Sequence, residues 1–382
     1  QAEIMKHLYI LFISALFTLT THAKGYEAEF KQVSKSWTLN TDGSQEFRHS
    51  KELTIYTHTA MNSTYGESFI VYNPTHQKVV IHSAYTKQKD GNIVKTPENA
   101  FVEVLPRQAA NAPDFNHLKE LVVVHTGLEL GATIYLDYSI ITQAGYLKQL
   151  DICQSLNELS PIRNYQLTIT TPENISLQSG FINHKNTQAK VKVANGMRTT
   201  DYQIKNISPR SFDPGTSVQS GGVIQFAAST HNTVQDALAS LNMLIGRTRD
   251  MRMSILAKEL TANSQSNKEK AAILLNYVVN QVDLIPLSLE ESGFNIRPEA
   301  TLIDRAYGTT AEKAALLHGL LKASGIESEM IAYYFKPVQP YLGLSAIDQL
   351  GVFTTIDGQS YILSPTTQTP VQYASSAYAV RL

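Results

Sequence analysis

Cysteine is almost missing: Cys153 is the single one in 382 residues. No intrachain disulfide can form, so packing alone must hold the fold. The eleven histidines are scattered, with no H-x-x-x-H pair and no Cys/His cluster at zinc spacing; no metal and no cofactor is expected. Charge is scarce as well. Only 17% of residues are Asp, Glu, Lys or Arg, the formal net charge is −1, and no Lys/Arg run occurs, which argues against a nucleic-acid partner. The surface must then be rich in Thr, Ser, Asn, Gln and Tyr, as in many secreted and envelope proteins. Long apolar runs are also lacking. The stretch from Leu8 to Leu19 falls short of the roughly 20 residues that span a bilayer. Met5 and Lys6 precede it and Thr21-His22-Ala23 follow it, so residues 1–23 read as a secretory signal peptide with its true start at Met5 and cleavage near Ala23. No transmembrane helix is expected in the mature chain. The ending "SSAYAVRL" reads as a truncated C-terminus.

What is present divides in two. Residues 24–225 are strand-like. "KELTIYTHTA", "ESFIVYN", "KVVIHSAYTK", "ATIYLDYSIIT" and "YQLTITTP" are β-branched and aromatic, and several alternate in polarity. Asp42-Gly43 and Asp90-Gly91 suit tight hairpins. This predicts an antiparallel β-sandwich, with one short helical turn near "DICQSLNEL". Residues 226–382 change character. "TVQDALASLNMLIGRTRDMRMSILAKELTANS" and "SNKEKAAILLNYVVNQV" are helical, the second with Ser266 and Glu269 as a capping box. "ESEMIAYYF" and "QLGVFTTIDGQSYILSP" read as strands, making this half α+β.

The segment "YGTTAEKAALLHGLLKASGI" carries the candidate chemistry. Thr309 and Glu312 are spaced as a capping box, with Thr310 the first helical residue and Gly325 the stop. A cysteine at such a helix start would gain thiolate character; a threonine hydroxyl stays protonated and needs a strong base. His318 lies eight residues further on, about 12 Å along the axis, out of reach. No cysteine follows Cys153 and no histidine follows His318. Cys153 itself has no charged activator nearby in sequence and reads as a core residue.

"RAYGTTAEKAALLHGLLKASGIESEMIAYYF" resembles the core of the transglutaminase-like, papain-type (cysteine-proteinase-like) family, through Gly308, Lys313, Ala314, Leu316, Leu317, Gly325 and Ile326. The resemblance implies a Cys-His-Asp triad, and this chain lacks it. Thr310 stands at the cysteine's place, Gln349 in "IDQLGVF" at the histidine's place to within a residue or so, and Ser364 in "LSPT" at the aspartate's. "YGESFIVYN", "AYTKQKDGNIV", "GLELGATIYLDYS" and "SPIRNYQLTITTP" resemble the domain of unknown function that precedes such domains in Gram-negative envelope proteins. The loop "YYFKPVQPYLG" would flank the cleft, making Thr309, Tyr333, Tyr334 and Tyr341 candidate lining residues. Together these imply an exported protein of the periplasm or cell surface that binds a peptide, a glycan or an envelope protein, or acts as a scaffold, without catalysis. The alternative is a peptidase or amidase with a rearranged site, or one completed by a missing domain.

Overall fold

The computed structural model describes residues 25–185, 187–210, 221–246, 250–372 and 377–382. The signal-peptide reading lies outside these residues. Among the described residues no helix is long and apolar enough to cross a membrane.

Alternating sequence becomes sheet throughout the front half. Its strands are β1 (Ala28–Leu39), β2 (Gln45–Ile55), β3 (Glu67–Tyr72), β4 (Gln77–Lys87), β5 (Ile93–Lys95), β6 (Phe101–Val104) and β7 (Lys119–Val124). Then come β8 (Thr133–Thr142), β9 (Asp151–Ser155), β10 (Ile162–Pro172), β11 (Gln178–Ile182), β12 (Lys190–Ala194), β13 (Met197–Ile207) and β14 (Gln225–Ser229). Eight of them form one sheet in the order β12-β13-β10-β1-β2-β8-β4-β5. Two three-stranded sheets, β11-β14-β9 and β3-β7-β6, lie side by side on its inner face. Phe226 and Ile152 of the first join Val33, Trp37, Leu167 and Tyr202 in one core. Ile70 and Val123 of the second join Leu136 and Tyr138 in another.

Two expectations need correction. The large sheet is not wholly antiparallel, because β1 pairs parallel with β10, Trp37 opposite Ile169. No local pattern announces a partner so distant in sequence. The segment at Cys153 is a strand, not a helical turn. Asp151 and Cys153 point one way and Ile152 and Gln154 the other, with a different core against each face, so the segment shows no simple polar side.

That two-sided burial joins the halves. On β9, β14 and β11, Ile152, Phe226 and Ala228 face the front core. Ala227, Ile182 and Cys153 pack with the core of the back half. The back half begins with α1 (Val234–Asn242), α2 (Met251–Leu260) and α3 (Asn267–Gln281). A parallel pair follows, β15 (Asp283–Leu284) with β16 (Tyr307–Gly308), separated by α4 (Glu299–Arg305). Next is α5 (Thr310–Ala323), buried along nearly its whole length by Ala314, Ala315, Leu316, Leu317, Leu320 and Leu321. It packs on an antiparallel sheet of β17 (Ser328–Tyr334), β18 (Ile347–Ile356), β19 (Gln359–Leu363), β20 (Val371–Gln372) and β21 (Ala379–Arg381), in the order β20-β19-β18-β17-β21.

Phe226 is fully buried, its ring 5.1 Å from Phe181 and 5.3 Å from Tyr202. Phe226→Ala should cost about 3–5 kcal/mol, read as a lower denaturant midpoint. A loss under about 1 kcal/mol would show that this strand does not anchor the front core.

Candidate functional site: a cavity at the start of a buried helix

The start of α5 is fixed by a complete capping box. Thr309 Oγ1 accepts from the Glu312 amide at 3.3 Å, and the Thr309 amide donates to Glu312 Oε2 at 2.9 Å. Glu312 is itself buried and held by Arg297, whose Nε and Nη2 donate to its two oxygens at 2.8 and 2.9 Å. The same guanidinium donates to the Tyr307 carbonyl at 3.1 Å and, across to the front half, to Asp114 at 2.6 Å. It lies 4.5 Å from the Phe115 ring centre and 5.2 Å from that of Tyr307. One side chain thus ties the helix start to the front-half loop 107–118.

A second clamp comes from β9. Asp151 accepts from the amides of Leu344 and Ser345 at 2.6 and 2.9 Å, with His231 Nε2 3.7 Å away. Gly343 is required here, since a Cβ would fall 2.2 Å from the Asp151 carboxylate.

Between these clamps lies a cavity of about 290 Å³. Thr309, Thr310 and Ala311 form its helix side, and Leu287 to Glu290 one wall. Leu344, Ser345 and β18 form another, and Cys153 reaches in from the front half. Among the described residues, no histidine lines it. A bulge in β18 shapes the far side. Tyr333 pairs with Gln349 and Tyr334 with Ile347, leaving Asp348 as the extra residue, turned toward the cavity.

The electrostatics are acidic. Burial pushes the Asp348 carboxyl above its usual range. Glu290 lines the cavity but is solvent-exposed; desolvation, then Asp151 and Glu291, push its carboxyl up to about 7. Cys153 is pushed up to about 12 by burial, reinforced by Asp151 and Glu290. That is the reverse of the electropositive setting a nucleophilic thiolate needs.

Among the residues singled out from sequence, Thr309 and Thr310 line the cavity. Gln349 is exposed on β18 and does not; its neighbour Asp348 does. Ser364 lies past the end of β19, its hydroxyl 3.0 Å from that of Thr366, outside the cavity. Tyr333, Tyr334 and Tyr341 do not line it either. Tyr334 is buried in the back core, and its hydroxyl has no partner. Tyr341 closes over Gly180 of β11, where a Cβ would meet its ring at 2.5 Å. The aromatic-proline loop therefore packs on the front half at Tyr341, and Lys336, Pro337, Gln339 and Tyr341 line a separate cavity with front-half residues there. His318 bonds Ser328 at 2.9 Å, and burial pushes it down to about 4. Sequence reasoning missed Glu290 and the entry of Cys153, and neither leaves a local signal.

Against known proteins, the domain of unknown function DUF3857 matches residues 41–211. A crystal structure of a candidate protease from Parabacteroides distasonis is 46% identical, covering 88% of this chain and 67% of that one, with a TM-score of 0.84. The chain belongs to the same family as this protein. A candidate cysteine protease from Cytophaga hutchinsonii is 12% identical over 61% of this chain and 84% of that one, with a TM-score of 0.27. The periplasmic domain of TgpA from Pseudomonas aeruginosa is 14% identical over 51% of this chain and 64% of that one, at 0.25. Scores this low carry no argument. No curated protein matches the chain.

Two outcomes are expected. Arg297→Ala leaves Glu312 buried without its cation and should cost about 3–5 kcal/mol, and Arg297→Lys should recover less than half, because an ammonium cannot reproduce the two-pronged contact. Full recovery by lysine in a urea melt would refute the role of that geometry. For Glu290, the folded state holds a proton to about 7 while the unfolded chain releases it near the ordinary value of 4.5. Its destabilising effect is therefore absent below the lower value and complete above the upper one. Glu290→Gln should raise Tm at about pH 8 and leave it unchanged at about pH 4; an equal gain at both would contradict the assignment.

Proposed function

We propose that the back half is a transglutaminase-like unit that has lost its triad, and that the cavity at Thr310 binds a ligand without turning it over. The observation that carries this reading is the state of the cavity's groups. It holds a hydroxyl at the helix start, a neutral thiol and carboxylates, with no imidazole among the described residues of its wall. A thiol held up to about 12 supplies almost no thiolate near neutral pH, and a threonine hydroxyl gains little from the helix field. The lining offers acceptors and negative charge, which favour a basic or neutral peptide, or a glycan, over an acidic one. An exported, envelope-associated setting agrees with the scarcity of cysteine and charge in the sequence.

A second reading is favoured by one observation. Glu290, raised to about 7, has the proton affinity of a general base working near neutrality, and it shares the cavity with Thr310. The Parabacteroides relative's description as a protease fits a hydrolase, in which Glu290 would take the Thr310 proton.

One experiment separates them. Purified chain is incubated with a panel of basic, neutral and acidic peptides and chito-oligosaccharides, followed by mass spectrometry and by thermal shift. Binding without cleavage is expected, with basic or neutral compounds raising Tm more than acidic ones. At a hundredfold excess over Kd the gain corresponds to about 2.7 kcal/mol. Cleavage that disappears in Thr310→Ala and Glu290→Gln would overturn the proposal in favour of the hydrolase.

A further inference from the structure

The cavity at Thr310 has two unlike ends. At the start of α5 the capping box settles two amides, those of Thr309 and Glu312. The two between them, of Thr310 and Ala311, are orphan donors of the kind every helix start leaves. Among the described residues neither has an acceptor. Ala311 is nevertheless buried, where main-chain N–H groups are nearly always paired. Both residues line the cavity. A helix of 14 residues stands behind them, so this end carries partial positive charge and two N–H groups open to an anion.

The other walls carry the opposite sign. Asp348 stands at the bulge of β18 and Glu290 on the loop wall. Nearby acids are committed: Asp151 to the amides of Leu344 and Ser345, Glu291 to the amide and hydroxyl of Ser288, Glu312 to Arg297. Among the described residues the carboxylates of Asp348 and Glu290 accept no hydrogen bond and form no ion pair. No lysine or arginine lines the cavity. Lys313 turns away and donates to the Val282 carbonyl. Lys35 acts on Glu290 electrostatically, but its Nζ donates to Gln154. Size sets a further limit. A cavity of about 150 Å³ takes up benzene, so one of about 290 Å³ suits a group of about ten to twelve heavy atoms.

We propose that the cavity takes a single basic residue by its two charged ends, the α-carboxylate on the amides of Thr310 and Ala311 and the side-chain ammonium or guanidinium toward Asp348 and Glu290. Lysine and arginine, with about ten and twelve heavy atoms, match the available space. The residue is a free amino acid or the last one of a peptide, since both present this chemistry. The inference rests on the reading of this cavity as a ligand site, and narrows its ligand to that pair of charges. A neutral or acidic terminal residue would bring its carboxylate toward two negative groups with nothing to offset them. A basic residue inside a chain would leave the two amides unpaired. Each wrong ligand therefore forfeits one contact.

The test uses the full chain at low salt and about pH 8, where Glu290 is ionised. Lysine, its amide and norleucine are titrated calorimetrically, each with and without an Nα-acetyl group. Lysine or Nα-acetyl-lysine should bind at least tenfold more tightly than the matching amide, which lacks the carboxylate, and the matching norleucine compound, which lacks the ammonium. The tighter of the two identifies the source, free amino acid for lysine and peptide end for its acetyl form. Asp348→Asn should weaken that binding at least tenfold. Thr310→Pro deletes one amide at a first helical position, after an extended residue, where proline fits; it should cost at least fivefold, while Thr310→Ala stays within threefold. Equal binding of the amide or of the norleucine compound overturns the proposal, as does unchanged binding in both Asp348→Asn and Thr310→Pro. Absence of binding by lysine and Nα-acetyl-lysine alike also overturns it. If other peptides or glycans then still raise Tm, the cavity remains a ligand site and only its ligand class falls; if none does, both readings fall.

Discussion

The Arg297 guanidinium is the point on which the two halves and the candidate site all depend. It satisfies both oxygens of a buried glutamate that caps α5, a main-chain carbonyl from β16, and an aspartate of the front half. Aromatic rings from each half cover it. A buried charge pair is not intrinsically stabilising. Its role here is one of specification. Glu312 can sit inside the protein only if the cation is delivered at that place, and with Glu312 in place the first turn of α5 has one orientation relative to the cavity.

That orientation sets the first turn of α5 against the cavity, where the surrounding groups disfavour a thiolate. The field of the helix end favours an anion, but the residue there is a hydroxyl, and the groups around it are themselves negative. Burial, reinforced by Asp151 and Glu290, holds the Cys153 thiol protonated, and Asp151 is already committed to the amides of Leu344 and Ser345. On the proposed reading, the site keeps the scaffold of a nucleophile's cradle while its electrostatics suit holding a ligand.

What could be read from sequence follows the range of the interactions. The capping boxes were legible because they depend on residues three apart: Thr309 with Glu312 is complete, while Ser266 accepts from the Glu269 amide and Glu269 turns back to Gln265 instead. The Asp357-Gly358 hairpin rests on an equally short-range signal, both residues having the positive φ such turns demand. Non-local features were not legible. The parallel pairing of β1 with β10 has no trace near either strand. Asp348 replaced Gln349 at the cavity because of a bulge, and a single inserted residue reverses which side chains face inward. Cys153 looked like ordinary core from its neighbours, and it is one, except that the second core against it belongs to the other half.

The parallel strand pair has a consequence for how the chain is made. Trp37 cannot meet Ile169 until β10 has emerged, nor can Phe226 close over both until β14 has. Contacts so far apart in sequence are reached slowly, since loop closure precedes any gain from packing. Through that interval the early strands present open edges of the kind that attract other chains. Without disulfides to trap partial order, the growing chain depends on shielding of those edges until β14 arrives, and the back half inherits its docking surface only then.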